Sequence, residues 1–463
     1  MNNSTSAIFK RVISYFSVNV MVSSIAFFSV IAYSHLLSPS EFGLYGEFVS
    51  LIPVLTILVG ANLSHSVLFF YKKEAADFAN YVGSMIVFQL ISFLFVVMFV
   101  LLAREFNYID KTDVNYYLFA SFFALVFSTR LLCEKIYIAR GEVKLYAKLN
   151  LLYMSLFSAL GVLIVIIYPD HWSRIKIELV LAICLFVYLL VFFSRLLDFK
   201  FRFDFAFLFN ALAFSIPRIP FSLSIAIMPL IDRQMVSSYE GYSELGNYIL
   251  ATSYSSVMLV AISAITPAFF PSYYDLMDQR DYKKIDLINR RLNILIAVGY
   301  LIFSLFINDF ASFVSGGDYV LPIFLIPIIL TSYLWHSLSS MYCRVFDYKK
   351  KTFYLSLLAF FSMMLNVLLN LLLIPDFGIL GASFATLIAY FVMAIASYFI
   401  SRFIVDVHTS PILLVCIGYI FVALLAFLLL MESVTVRVGS VLVIFGVLYV
   451  FRKDIFITGG KSC

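Results

Sequence analysis

The chain has 463 residues, of which 63% are hydrophobic and 18% aromatic, whereas only 13% are charged. A water-soluble domain carries about 25% charged and about 45–50% apolar residues, so these proportions cannot clothe a globular surface in polar groups. They exclude a soluble enzyme and a disordered chain, and a nucleic-acid binder too, since the net charge of +5 is spread along the sequence rather than gathered in a patch.

A helix that crosses a hydrocarbon core of about 30 Å needs about 20 apolar residues. In chain order such runs cover 12–37, 44–71, 78–103, 116–139, 145–168 and 177–197, then 207–231, 245–270, 292–314, 320–346, 353–374, 378–401, 412–431 and 434–451. The spacing predicts an all-α polytopic membrane protein with about 14 transmembrane helices and mostly short connections. Basic residues stay on the cytoplasmic side of a membrane. With the N-terminus inside, 23 of the 32 Lys and Arg fall in cytoplasmic segments; Arg104, Lys111, Arg174, Lys176, Arg233 and Arg437 fall outside. Both termini are therefore expected in the cytoplasm. The first run exceeds the 7–15 residues of a signal-peptide core and reads as a permanent anchor.

The segment Ser40-Glu41-Phe42-Gly43-Leu44-Tyr45 opens the second expected helix, and Ser243-Glu244-Leu245-Gly246-Asn247-Tyr248 opens the eighth. Weaker echoes keep the same order: Tyr71-Lys72-Lys73 with Tyr282-Lys283-Lys284, and Pro169-Asp170 with Pro375-Asp376. Taken singly, S-E-x-G-x-Y is no more than a helix start, with Ser as a cap and Glu near the positive end. Six helices separate the matched positions, so matched helices run the same way across the membrane. That implies a parallel repeat: a six-helix bundle at 1–203, a second at 204–403, and two additional helices with a tail at 404–463. Two facing bundles enclose a cavity able to open to either side.

With these features the chain resembles flippases of the polysaccharide transport family, in the multidrug/oligosaccharidyl-lipid/polysaccharide exporter superfamily, of the Wzx type that moves O-antigen repeat units. The residues that carry the resemblance are the run from His35 to Tyr45, Ile231-Asp232-Arg233 with Gly246-Asn247-Tyr248, and above all the run from Asn370 through Ile374-Pro375-Asp376-Phe377-Gly378 to Thr386. His35 departs from the pattern, since an Arg is common there, and no role is carried to it. The resemblance implies a bacterial inner-membrane flippase, not an enzyme, that works by alternating access without a cofactor. Its partner would be an undecaprenyl-diphosphate-linked oligosaccharide moved from the cytoplasmic to the periplasmic leaflet, with a polysaccharide polymerase and a chain-length regulator as further partners.

Ionisable groups within helices are costly, about 2.5–3.5 kcal/mol for a central Arg on insertion scales, so each asks for a reason. Arg218 lies well inside the seventh helix between Pro217 and Pro220, which lack backbone donors and free carbonyls. A guanidinium facing a wet cavity is suited to a diphosphate, although an ion pair or a carbonyl clamp between helices would also account for it. Arg130, Glu134 and Lys135 are substrate-binding candidates toward the cytoplasmic end of the fourth helix; Arg130 and Glu134, one turn apart, equally suit a self-neutralising pair. Glu47, Asp232 and Arg233 are placed at the outer cavity mouth and Arg344 at the inner end of the tenth helix, where capping or headgroup contact is the plainer alternative.

Five Cys and five His show no metal-ligand spacing. The tail Gly459-Gly460-Lys461-Ser462 mimics the end of a phosphate loop, but Ile455 stands where its first glycine belongs. A drug/cation antiporter of the same superfamily is disfavoured because the first and seventh helices contain no Asp or Glu. A lipid II flippase shares the architecture. A membrane polymerase would need large outer loops or a D-x-D pair, and Asp110 and Asp113 are wrongly spaced for one.

Overall fold

The computed structural model describes residues 3–73, 77–107, 114–197, 203–404, 412–430 and 433–450. Asp110, Lys111, Asp113, Lys200, Arg202 and the tail with residues 459–462 lie outside them. The described regular structure is helical: α1 (Asn3–Leu36), α2 (Pro39–Gly60), α3 (Ser64–Lys73), α4 (Phe78–Glu105), α5 (Val114–Arg140), α6 (Val143–Ile167), α7 (His171–Leu197), α8 (Phe205–Ser215), a 3-10 turn (Ile216–Arg218), α9 (Ile219–Asp278), α10 (Tyr282–Val314), α11 (Leu325–Tyr348), α12 (Thr352–Ile404), α13 (Ile412–Leu430) and α14 (Val434–Val450). Each expected span is helical over most of its described residues.

The correspondence is not one to one. The second span divides into α2 and α3 where Ala61 and Asn62 take left-handed backbone (φ 43° and 55°). The seventh divides at the 3-10 turn. Conversely, α9 and α12 each hold two spans, joined at Gly241 (φ 84°) and Gly378 (φ 57°). At Gly378 the chain folds back on itself: a Cβ on Gly381 would strike the carbonyl of Leu373. In a continuous helix eight residues would separate those positions by about 12 Å. The same holds at Gly241, because Arg233 and Ile249 both reach Gly46, although a straight helix would hold them about 24 Å apart.

Nine helices among the described residues are long and apolar enough to cross a membrane, two of them the double-length runs just described. The chain is a multi-pass membrane protein. Two compact units form, one of Met1–Ile249 with Gly316–Tyr319 and Leu355–Val367, the other of Leu250–Ser315, Val320–Tyr354 and Leu368–Cys463. In the first, α2 packs chiefly on α5 and α1 on α6. Its core runs through fully buried Phe48, Phe123, Tyr81 and Met85, with the Phe48 ring 5.0 Å from Tyr116 and 5.8 Å from Phe123. In the second, α10 packs on α11 and α13. The additional helices are tied to α10 by polar bonds: Tyr419 donates to Asn293 at 2.7 Å, and Arg437 pairs with Asp309 at 2.6 Å. The helix α11 is buried along most of its length and carries Thr331, Ser332, Ser337 and Ser339 inward, small polar residues suited to close helix contact.

The repeated motif finds a physical explanation in the first unit. Ser38 caps α2 by accepting from the Glu41 amide at 3.3 Å, with Pro39 at the first helical position. The two copies then meet through their glycines. A Cβ on Gly43 would strike the carbonyl of Tyr242, and one on Gly246 would strike the carbonyl of Pro39 and lie 2.9 Å from its Cα. Since backbone cannot yield as a side-chain tip does, Gly246→Ala is expected to cost about 1–3 kcal/mol, read as a lowered melting temperature, whereas alanine at Gly299, which faces open space, is not.

Candidate functional site

The two interrupted spans of the first unit face each other. At the first break Asn62, left-handed between α2 and α3, donates from Nδ2 to Ser222 Oγ of α9 at 3.0 Å. At the second, the 3-10 turn sets Arg218 between α8 and α9, roughly 20 Å along the axis from the start of α8. The break in α2–α3 likewise lies roughly 15 Å from the end carrying Lys72 and Lys73, the length of the ten-residue α3. A carbonyl freed at this turn has a partner: Ser356 donates to Pro217 O at 3.2 Å. Interrupted backbone at such depth is tolerated only against protein or a water-lined path.

Lys135 of α5 and Arg218 both act electrostatically on His65, the second residue of α3. Polar residues continue behind them: a Cβ on Gly60, which ends α2, would lie 2.9 Å from Ser128 Cβ, and Thr129 donates to Gln89 Oε1 at 3.2 Å. Of the four residues expected to bind substrate, Arg218 stands at the second break, and both it and Lys135 on α5 act electrostatically on His65. Arg130 and Glu134 instead form a separate pair at 3.3 Å, with Arg130 also donating to Asn150 Oδ1 at 3.1 Å and stacked near Tyr153 and Phe127.

Of the residues expected at a cavity mouth, Arg233 donates to Gly46 O at 2.8 Å, beside Glu47. The neighbouring Asp232 is buried. Arg344 belongs to the second unit, buried with its guanidinium 5.9 Å from the centre of the Tyr273 ring.

A further cluster escaped the reading of the sequence. Arg174 and Glu178, one turn apart on α7, are both buried and paired at 3.1 Å. The guanidinium lies between the rings of Tyr33 and Tyr45, 3.4 Å from each centroid, and Tyr45 donates to Glu178 at 2.7 Å. One residue each from α1 and α2 is thereby held to α7. Tyr45 is the tyrosine of the repeated motif. Its glutamate, Glu41, accepts from the backbone amide of His171 at 2.8 Å and pairs with the ring Nδ1 at 2.6 Å, so both residues grip the start of α7. The only sequence signal was an acid at 178 inside an apolar run with a base four residues earlier. In the loop before α7, burial of Asp170 works against its charge. Hydrogen bonds from the Ser173 hydroxyl and amide at 2.6 and 2.8 Å prevail, holding the carboxyl below its ordinary range.

The family model of the polysaccharide biosynthesis proteins matches residues 8–277. No curated protein matches the sequence. Among solved structures, the lipid II flippase MurJ in an inward closed conformation superposes with a TM-score of 0.69 at 14% identity, over 96% of this chain and 100% of that one. A multidrug resistance MATE family transporter of the MOP superfamily, facing inward, gives 0.66 at 15% identity over 84% and 97%. Its outward-facing counterpart gives 0.57 at 15% identity over 85% and 95%. These likenesses concern the fold. With more than half of its length matched by the family model, the chain belongs to the polysaccharide biosynthesis protein family.

Proposed function

We propose that the protein carries a polyprenyl-diphosphate-linked oligosaccharide, an O-antigen or related surface-polysaccharide repeat unit, from the cytoplasmic to the periplasmic leaflet of a bacterial inner membrane. The observation that carries this reading is Arg218 at the interruption of one span, where Asn62 at the interruption of another reaches Ser222 of the same segment. A forked guanidinium suits a diphosphate, and freed backbone together with Asn62 and Ser222 suits a hydrated path. Such a path is needed because each sugar hydroxyl costs about 4–8 kcal/mol to strip of water into alkane. The prenyl chain stays in lipid.

In this proposal the bundles at 1–203 and 204–403 alternate access, with both termini cytoplasmic as the distribution of Lys and Arg suggests. Arg130 and Glu134 support the site from their own pair, and Glu47, Asp232, Arg233 and Arg344 act at its mouths. An inside-negative potential drives an anion outward by about 2.3 kcal/mol per charge per 100 mV. A polymerase and a chain-length regulator would receive the flipped unit. Deleting the gene tests the proposal: lipid-linked repeat units should accumulate in the cytoplasmic leaflet and surface polysaccharide should disappear. Flipped but unpolymerised units would refute it, and accumulation of lipid II instead would move the substrate to the peptidoglycan precursor.

A further inference from the structure

The last turn of α5 closes on Gly141, whose φ of 71° lets the Glu142 amide reach back to the carbonyl of Tyr137 at 2.8 Å. That closure fixes Glu142 beside the helix end. Its side chain lines a cavity of about 480 Å³ together with Tyr137, Arg140, Tyr188 and Arg195, all within the first unit. The volume falls in the range of about 300–1,000 Å³ common for small-molecule sites. Tyr137 and Tyr188 hydroxyls lie 3.0 Å apart on its wall.

The charges are unusual for an interfacial pocket. Two exposed arginines, at the ends of α5 and α7, bring forked donors suited to phosphate. Between the two helices Glu142 brings the opposite sign, and its Oε2 is buried without a hydrogen-bond partner among the described residues. An ionised carboxylate only accepts, so a buried oxygen of this kind calls for a donor from outside the chain. At the rim, Leu145, Tyr188 and Val191 are 44%, 46% and 45% exposed, an apolar surface fit for hydrocarbon chains.

We infer that this pocket holds the headgroup of an aminophospholipid, with the phosphate on Arg140 and Arg195 and the primary ammonium on Glu142. A primary ammonium supplies N–H donors to Glu142, whereas a quaternary choline has none and a glycerol headgroup lacks the positive charge. The assignment does not depend on the transported substrate.

The test is lipid retention and thermal unfolding of the full chain in bilayers of phosphatidylcholine alone, or with added phosphatidylethanolamine or phosphatidylglycerol. Phosphatidylethanolamine should be retained most and should raise the melting temperature above that in phosphatidylcholine alone. Glu142→Gln should lower its retention roughly tenfold, as expected for one charge-assisted hydrogen bond, and leave phosphatidylglycerol retention unchanged. Arg140→Gln with Arg195→Gln should reduce retention of both lipids and abolish the gain in melting temperature that phosphatidylethanolamine gives over phosphatidylcholine alone. Equal retention of phosphatidylethanolamine and phosphatidylcholine would overturn the inference. So would an undiminished preference in Glu142→Gln, or displacement of the bound lipid by a polyprenyl diphosphate, which would make the pocket part of the transport path.

Discussion

Glu178→Ala is expected to destabilise the protein by about 3–5 kcal/mol, because it leaves the Arg174 guanidinium buried and without its counter-charge. For a unit of this size that corresponds to a fall in melting temperature on the order of 10 °C. The loss should not follow from charge alone. Glu178→Gln retains an acceptor for Tyr45 and should lose less, whereas Arg174→Lys retains the charge but forfeits the flat surface packed between Tyr33 and Tyr45. Replacing both members with apolar residues of similar volume should restore much of the stability, since neither charge then requires compensation. Thermal unfolding of the purified variants settles the matter; a single Glu178→Ala variant melting with the wild type would show that the pair does not bind α1 and α2 to α7.

Arg218→Ala is expected to reduce transport by roughly 10- to 100-fold, the worth of one charge-assisted contact to a phosphate. Arg218→Lys should fall between, because a point charge cannot match two phosphate oxygens as a fork does. Lys135→Gln should weaken transport less, and neutralising Arg130 and Glu134 together should act mainly on stability, since those two already compensate each other. The measurement is the fraction of lipid-linked repeat units reaching the outer leaflet, taken with and without collapse of the membrane potential. Wild-type transport by Arg218→Ala would remove the anion-ligand role, and indifference to the collapse would remove the electrical drive.

What could be read before the structure follows what the membrane makes compulsory. Span length is dictated by bilayer thickness, so the 14 apolar runs are helical over most of their described residues, and the one-turn spacing of Arg130 and Glu134 announced their pair. The break at Ala61 and Asn62 was hidden because Ala61 and Leu63 prolong the apolar run; only backbone dihedrals reveal it. Arg174 and Glu178 were passed over because charges near the end of a span read as interfacial, and the tyrosines enclosing them stand more than a hundred residues away in the chain. The duplicated S-E-x-G-x-Y motif was visible as a repeat. That its glycines rest against each other's motif depends on a fold-back at Gly241 that spacing alone cannot show.

The short pieces on the near side of the two breaks are also in contact. The Phe69 ring of α3 stacks on Phe214 of α8 at 5.3 Å, and Phe70 meets the same ring edge-on at 6.4 Å. Phe214 precedes the 3-10 turn by a single residue. Two breaks contributed by distant parts of the sequence therefore share one aromatic contact, so truncating Phe214 would remove packing from the elements beside both.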